Sequence, residues 1–470
     1  MKRYERHADT IAQLIHSGAL RPGDRVPSVR EASRTRGISP STVFEAYYLL
    51  EARGLIRARE RSGYYVIAGA KALPPEPEQS PETLGESKPV DVSQLVFEVL
   101  ESAKTRDVVP LGSAFPSPFL FPLPRLAKSL SASVQHMDPW STVDDLTSGN
   151  AALRRQIALR YLADGMHVHP DEIVITNGAL EALNLCLSAV ARPGDCVVVE
   201  SPTFYAALQA LERLGLNAIE VPAHPRDGID LEALENALTR HRPKACWVMT
   251  NFQNPIGSTM SDERKQELVA LLARHEVPLI EDDVYGELYF GNRRPPPAKT
   301  FDQHGLVLHC SSFSKCLAPG YRIGWAMPGR FARDVAHLKL TTTLSTSAPG
   351  QAALADYLAK GGYDKHLRHL RHALAVQQNA MMQAVVRHFP RGTRATRPGG
   401  GYFLWVELPG QVDALEIHHR ALALGISVAP GPMFSAHRGF TNHLRLNYGH
   451  PWDDRMEAAL ATLGRLAAGP

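Results

Sequence analysis

Ser311-Ser312-Phe313-Ser314-Lys315-Cys316-Leu317-Ala318-Pro319-Gly320-Tyr321-Arg322-Ile323-Gly324-Trp325 is the stretch that decides how the chain reads. It follows an apolar run, residues 306–310, that has the look of a buried strand. A lysine just past a strand end, between small hydroxyl residues, suits an amine that must condense with an aldehyde. The hydroxyls of Ser312 and Ser314 and the guanidinium of Arg322 are spaced to bind a phosphate beside it. A lone lysine after a strand means little, whereas Ser-x-Ser-Lys with an arginine seven residues on is specific.

Outward from this segment, apolar strands at 172–176, 196–199, 246–250 and 278–281 alternate with helix-like stretches. That alternation predicts a parallel α/β sheet, whose ligands bind beyond the strand C-termini. Thr176-Asn177-Gly178-Ala179-Leu180-Glu181 offers a second phosphate contact, a glycine at a helix N-terminus. Asp282, at the end of strand 278–281, suits a buried carboxylate that keeps a ring nitrogen protonated. Tyr285 and Asn254, in Asn254-Pro255-Ile256-Gly257, can donate to a ring oxygen. Phe204, in Glu200-Ser201-Pro202-Thr203-Phe204-Tyr205, can supply an aromatic platform, with Tyr205 as its rival. Phosphate, aldehyde, ring nitrogen and ring oxygen together are the needs of pyridoxal 5′-phosphate (PLP).

Over roughly residues 92–470 this set resembles the fold-type I PLP aminotransferases, with a smaller C-terminal α/β subdomain expected. The resemblance implies that Lys315 forms the internal aldimine and that Asp282 pairs with the pyridine nitrogen. It places Asn254 and Tyr285 on O3′, and Gly178, Ala179, Ser312, Ser314 and Arg322 on the phosphate. Lys315, Asp282 and Tyr285 are then the catalytic candidates. The segment His443-Leu444-Arg445-Leu446-Asn447-Tyr448 matches the one whose arginine holds a substrate α-carboxylate, so Arg445 takes that role. Gly112, in Gly112-Ser113-Ala114-Phe115-Pro116, is expected to line the same pocket. One position departs from the family. Asp144, in Asp144-Asp145-Leu146-Thr147-Ser148-Gly149, stands where a tyrosine often reaches the neighbouring subunit's phosphate.

The N-terminal region has a different rhythm. Ile11, Leu14 and Ile15 mark a first amphipathic helix, closed by Gly18 and Pro22-Gly23. Ser28 and Glu31 form a capping box for a second helix, 29–36. Gly37-Ile38-Ser39 turns into a third, from about 41 to 52, burying Val43, Ala46, Tyr47 and Leu50 and presenting Ser41, Thr42 and Glu45. Two short strands around an Arg-rich tip, within 54–66, complete a wing. Arg21-Pro22-Gly23, Val26-Pro27-Ser28-Val29-Arg30, Thr42-Val43, Ala46-Tyr47 and Ser62-Gly63-Tyr64 together resemble the GntR-type winged helix-turn-helix. That family implies DNA contacts at Arg30, Ser41, Thr42 and Gly63, with Arg34 and Arg36 as further candidates.

Charge supports the division. Residues 1–70 hold 12 Lys and Arg against 7 Asp and Glu, a net +5, while the whole chain of 470 residues carries +3. A basic head on a near-neutral body is expected of a nucleic-acid-binding module joined to something else. Residues 69–91, with five prolines interleaved with four glutamates, read as an extended, solvated linker. The expected domains are therefore a winged helix at 1–68, a linker at 69–91 and an aminotransferase-like domain at 92–470. Cys186, Cys196, Cys246, Cys310 and Cys316 are odd in number and lack C-x-x-C spacing, which argues against disulfides or a metal site. No signal peptide or membrane span is legible, and the cytoplasm is the expected compartment.

Winged helix, linker and aminotransferase-like domain in this order are similar to the MocR subfamily of GntR-type transcriptional regulators. The resemblance implies a homodimer that binds operator DNA and senses PLP, or an amino acid or amine effector, through an aldimine. The alternative is a working aminotransferase that carries a DNA-binding appendage.

Overall fold

The computed structural model describes residues 2–59, 62–67, 73–78, 86–102, 107–144, 146–410 and 412–469. The N-terminal unit contains helices Arg3–His16, Val29–Arg36 and Pro40–Ala52, followed by antiparallel strands Ile56–Arg59 and Gly63–Val66. Ser28 accepts from the Glu31 amide in a capping box, as expected from the sequence. The third helix starts slightly earlier than expected, because Ser39 is its N-cap and Pro40 occupies the first turn. Proline is favoured there, since its missing N–H would have had no helical partner. A separate small core of Ala8, Ile11, Val26, Val43, Ala46, Tyr47, Leu50, Ile56 and Val66 holds the unit together. The wing-tip residues Glu60 and Arg61 lie outside the described residues.

The large unit is built on a nine-stranded sheet. Its centre is parallel: Asn217–His224, Cys196–Ser201, Ala245–Val248, Leu279–Asp282 and Val307–Ser312 lie side by side. Both flanks differ from the all-parallel expectation. Gly324–Met327 pairs antiparallel with Val307–Ser312 and with Val174–Thr176, and Ser87–Pro89 pairs antiparallel with Asn217–His224. The sheet is therefore mixed. The hairpin from Val307–Ser312 to Gly324–Met327 explains one flank: its connection is the Lys315 segment itself, too short for a helical crossover back to a parallel strand.

The linker expectation also needs correction. Its described parts pack onto the large unit instead of hanging in solvent. The Ala395 amide donates to Pro75, Arg397 donates to the Pro74 carbonyl, and Glu76 and Glu78 pair with Arg226 and Arg394. Ser87–Pro89 is an edge strand, and Val90 and Val92 are buried. Alternating Pro and Glu was legible as extended chain. That the carbonyls and carboxylates would meet arginines 150 to 323 residues away was not.

A smaller C-terminal sheet joins Arg394–Ala395, Phe403–Glu407, His443–Asn447 and Ala429–Pro430. Helix Tyr363–His388 spans 26 residues between the two sheets. The winged helix rests against this long helix. Tyr48 stacks on His372 with centroids 4.1 Å apart, the His372 imidazole sits 3.4 Å from Glu51, and Asn379 fills the space beside Gly54. Tyr4 and Glu5 bond to Asn292. Among the described residues, no helix is long and apolar enough to cross a membrane, and no cluster of three metal-ligating side chains occurs.

Candidate functional site

The C-terminal ends of the central strands open into a cleft of about 240 Å³. Ala179, Phe204, Tyr205, Asp282, Tyr285, Ser312, Ser314, Lys315 and Arg322 all line it. Its position is dictated by the sheet, since a parallel centre places every strand-to-helix turn on one edge.

Lys315 is half-buried, and its Nζ donates to the Ala114 carbonyl at 2.8 Å while lying 3.8 Å over the Phe115 ring. Burial, reinforced by the positive charge of Arg445, pulls its amine down to about 7. Asp282 is fully buried, and neither carboxylate oxygen has a protein partner of good hydrogen-bond geometry. Burial pushes its carboxyl up to about 7, with the negative charges of Asp283 and Glu281 adding to the effect. An unpartnered buried carboxylate is costly, so its persistence at this place points to a ligand with a donor.

The phosphate candidates converge. Arg322 has a left-handed backbone (φ +53°) and donates to Ser314 Oγ at 3.2 Å and to the Asn177 carbonyl at 3.4 Å. Gly178, also at positive φ, begins helix Ala179–Val190, and a Cβ there would collide with the Arg322 guanidinium. Ser312 Oγ accepts from the Ser314 amide at 3.3 Å. Backbone N–H groups at a helix N-terminus, two hydroxyls and a guanidinium make a cradle for a dianion.

Asn254 and Arg445 are joined: Arg445 donates to Asn254 Oδ1 at 3.1 Å, while Asn254 Nδ2 is buried without a partner. Arg445 is fully buried on strand His443–Asn447, also donates to the Gly112 carbonyl at 2.7 Å, and lies 4.2 Å over the Phe403 ring. Gly112 therefore meets Arg445 through its backbone, and a Cβ there would press on Val428 at 2.7 Å. Tyr285 is buried and stacks edge-on to Tyr402 at 5.4 Å. Phe204 and Tyr205 both reach the cleft. Tyr205 turns its phenol toward Arg445, leaving Phe204 as the apolar face.

Three residues at the site carried no sequence signal of their own. Glu200 is buried and is pushed up to about 8 by its burial, with the negative charge of Asp282 adding to the effect. Phe115 lies under the Lys315 amine, and Leu100 closes the cleft from helix Ser93–Ser102. Asp144 closes the short helix Ser141–Asp144; its side chain, and Asp145, lie outside the described residues.

On the winged helix, Arg30, Arg34 and Arg36 are all solvent-exposed. Ser41 and Thr42 sit at the start of the third helix, where their hydroxyls are 2.9 and 2.8 Å from Ser39 Oγ. That cap network fixes the helix end and leaves each hydroxyl with capacity for a second partner. Gly63 adopts φ +104° with Arg25 packed over it, and Arg59 stacks on Tyr65 at 4.4 Å.

Residues 137–463 match the model of the aminotransferase class I and II family, and residues 3–66 match that of the bacterial regulatory proteins of the gntR family. The chain is 49% identical over 466 residues to the uncharacterized HTH-type transcriptional regulator YdcR of Escherichia coli K12, covering 99% of both chains. It belongs to the MocR-type, GntR-family regulators fused to an aminotransferase-like domain. Among solved structures, the multiple substrate aminotransferase of Thermococcus profundus superposes with a TM-score of 0.74 at 30% identity, over 80% of this chain and 95% of that one. The α-aminoadipate aminotransferase LysN of Thermus thermophilus, complexed with N-(5′-phosphopyridoxyl)-L-leucine, gives 0.72 at 29% identity, over 81% and 99%. The class I and II fold is PLP-dependent, and the GntR module binds DNA. The residues in this MocR-type chain fit the cofactor: the orphaned Asp282 carboxylate, the free Asn254 amide and the Gly178–Arg322 cradle are the groups it needs.

The lowered Lys315 amine predicts a pH profile. Only the neutral amine attacks an aldehyde, and a group near 7 is neutral above that pH and protonated below it. PLP capture, followed by stopped-flow absorbance, is expected to be flat from about pH 8 to 9 and to fall about tenfold per unit below about pH 6. A rate that keeps climbing through about pH 9 would put the amine at its ordinary value.

Proposed function

We propose that this regulator senses PLP, or an amino compound that reacts with it, and converts occupancy of the cleft into a change in DNA binding. PLP supplies an electrophilic carbon and an electron-withdrawing ring when bound. Lys315 provides the attacking amine, lowered to about 7 so that a large share is neutral near pH 7. Asp282 holds the proton at the ring nitrogen, and Asn254 Nδ2 and Tyr285 orient the ring oxygen. Gly178, Ala179, Ser312, Ser314 and Arg322 bind the phosphate, and Phe204 covers the ring. Arg445, with Gly112 beside it, takes a carboxylate. The effector class this favours is an amino acid. Arg30, Ser41, Thr42 and Gly63, with Arg34 and Arg36 at the margin, meet the DNA. We further propose that the protein acts in the cytoplasm as a homodimer, presenting two winged helices to two half-sites.

One observation supports the regulatory reading above the others. The long helix Tyr363–His388 touches both ends of the system. At its start, His366 Nε2 lies 2.7 Å from the carbonyl of Cys316, the residue after Lys315, and the Tyr363 hydroxyl is 3.1 Å from Cys316 Sγ. Further along, His372 grips Tyr48 and Glu51 on the third helix of the winged module. A shift at the Lys315 loop therefore has a short, rigid route to the DNA-reading element. The ligand drives it only as far as it binds one arrangement better than the other.

The test uses the PLP-loaded full chain. A panel of amines and amino acids is added while the cofactor absorption band and the anisotropy of a labelled duplex are followed, with and without a 2-oxo acid. A compound that shifts the band and changes DNA affinity by about fivefold or more, without turnover, supports the reading. His372→Ala is expected to keep the band shift and lose most of that affinity change. Multiple turnover with product accumulation and no effect on DNA would replace it with an aminotransferase carrying a DNA-binding appendage, for which the Lys315, Asp282 and Arg445 set is complete.

A further inference from the structure

The third helix of the winged module and the long helix of the large unit lie side by side and run in the same direction. Glu45 shares a cleft with His369, Tyr48 stacks on His372, and Gly54 abuts Asn379. Each step along one helix is matched by a step along the other. Four residues back from Glu45 is Ser41, at the end proposed to read DNA; four back from His369 is Lys365. At about 1.5 Å per residue both steps cover about 6 Å, so Lys365 sits level with the reading end.

The charge at this place is strongly one-sided. The run Asp364-Lys365-His366-Leu367-Arg368-His369-Leu370-Arg371-His372 has one acid, and Asp364 is already paired with Arg160 at 2.9 Å. Lys365, Arg368 and His369 are exposed. Among the described residues, neither Lys365 nor Arg368 is in an ion pair, whereas Arg371 is engaged by the Glu287 carbonyl and the Tyr289 ring. Lys2, from the start of the winged module, faces the same cleft. Two unpaired cations one turn apart, level with a recognition helix, are spaced for neighbouring phosphates on one strand bordering the major groove that such a helix occupies.

We infer that Lys365 and Arg368 are DNA phosphate contacts, so that the DNA-binding surface is composite and the aminotransferase-like domain contributes part of it. The inference rests on the winged helix being the DNA-reading module. It goes beyond that reading by assigning a second, sequence-independent contact to the other domain. These contacts form only while the winged module is docked on the long helix. Undocking would then cost the protein two phosphate contacts.

The test measures the affinity of the PLP-loaded full chain for a random-sequence duplex of about 40 bp by fluorescence anisotropy, across a range of NaCl concentrations. Each neutralised phosphate contributes about 0.9 to the slope of log K against log salt. The double variant K365A/R368A is expected to bind more weakly and to show a slope shallower by about 1.8, with the cofactor band unchanged as the check on folding. Charge-conserving K365R/R368K is expected to restore the slope. A double variant with an unchanged slope overturns the inference, as does one in which affinity falls while the slope stays fixed. Arg30→Ala, measured in parallel, separates the two readings. If Arg30→Ala weakens binding and K365A/R368A does not, only the composite surface fails. If neither weakens it, the winged-helix assignment fails with it.

Discussion

Lys315→Ala is expected to abolish covalent retention of PLP, so that the cofactor absorption band disappears and desalting strips the protein. The proposed phosphate cradle of Gly178, Ser314 and Arg322 and the Asp282 carboxylate stay in place, but they would hold the cofactor only by reversible contacts. The loss should show in thermal stability as well. A ligand at about a hundred times its Kd stabilises the folded state by about 2.7 kcal/mol. Wild type should gain a stabilisation of that order from added PLP, and the variant close to none at the same concentration. Without PLP the two should melt within about 1 kcal/mol of each other. The lost hydrogen bond to Ala114 is offset by no longer burying an amine whose protonation is already disfavoured. Lys315→Arg keeps the charge but cannot condense with an aldehyde, so it should lose the band too. A Lys315→Ala protein that retains the wild-type band would place the covalent site on another residue.

How much of this was legible in the sequence depended on whether the chemistry was local. The Lys315 segment carries its own context: strand, hydroxyls, lysine and arginine all lie within residues 306–322, and the structure brings Ser312, Ser314, Lys315 and Arg322 to one cleft. Asp282 and Tyr285, at and just beyond the end of an apolar strand, were placed by the same local context, and both line the cleft. Phe115 and Glu200 were not readable as site residues. Each depends on an interaction across more than 80 positions: Phe115 lies under Lys315, and the Asp282 charge acts on Glu200. The direction of the flanking strands escaped the sequence for a related reason. Apolar runs such as 172–176 reveal burial, but an antiparallel neighbour is set by the length of the connection, not by composition. The linker differed because proline-rich chain looks solvated until its carbonyls find donors, and those donors, the Ala395 amide and Arg397, belong to the C-terminal sheet region. The docking of the winged helix was invisible altogether. Neither Tyr48 nor His372 stands out alone, and only their 4.1 Å stacking gives them meaning.

Tyr47→Ala is expected to unfold the winged helix while leaving the cofactor band intact. Tyr47 is fully buried at the centre of the module. Its ring packs edge-on against Tyr64 at 5.1 Å, and its hydroxyl donates to the Pro27 carbonyl at 2.6 Å, tying the third helix to the turn before the second. Burial pushes the phenol up to about 12, so it remains a donor throughout the physiological range. Removing a large buried aromatic side chain costs about 3–5 kcal/mol, and a core of this size supplies little more than that in total. DNA binding should therefore be lost. Tyr47→Phe removes only the hydroxyl, leaves the Pro27 carbonyl without its donor, and should cost about 1–3 kcal/mol. Circular dichroism and the cofactor band followed together on heating distinguish two outcomes. If the Tyr47→Ala protein loses helix signal at low temperature while the band persists to the wild-type temperature, the two units fold on their own cores, and the contact through His372 is a coupling laid over independent stabilities. If band and helix signal are lost together, the docked winged helix is part of what holds the Lys315 loop in place. The regulatory connection would then run through folding stability as well as through the long helix.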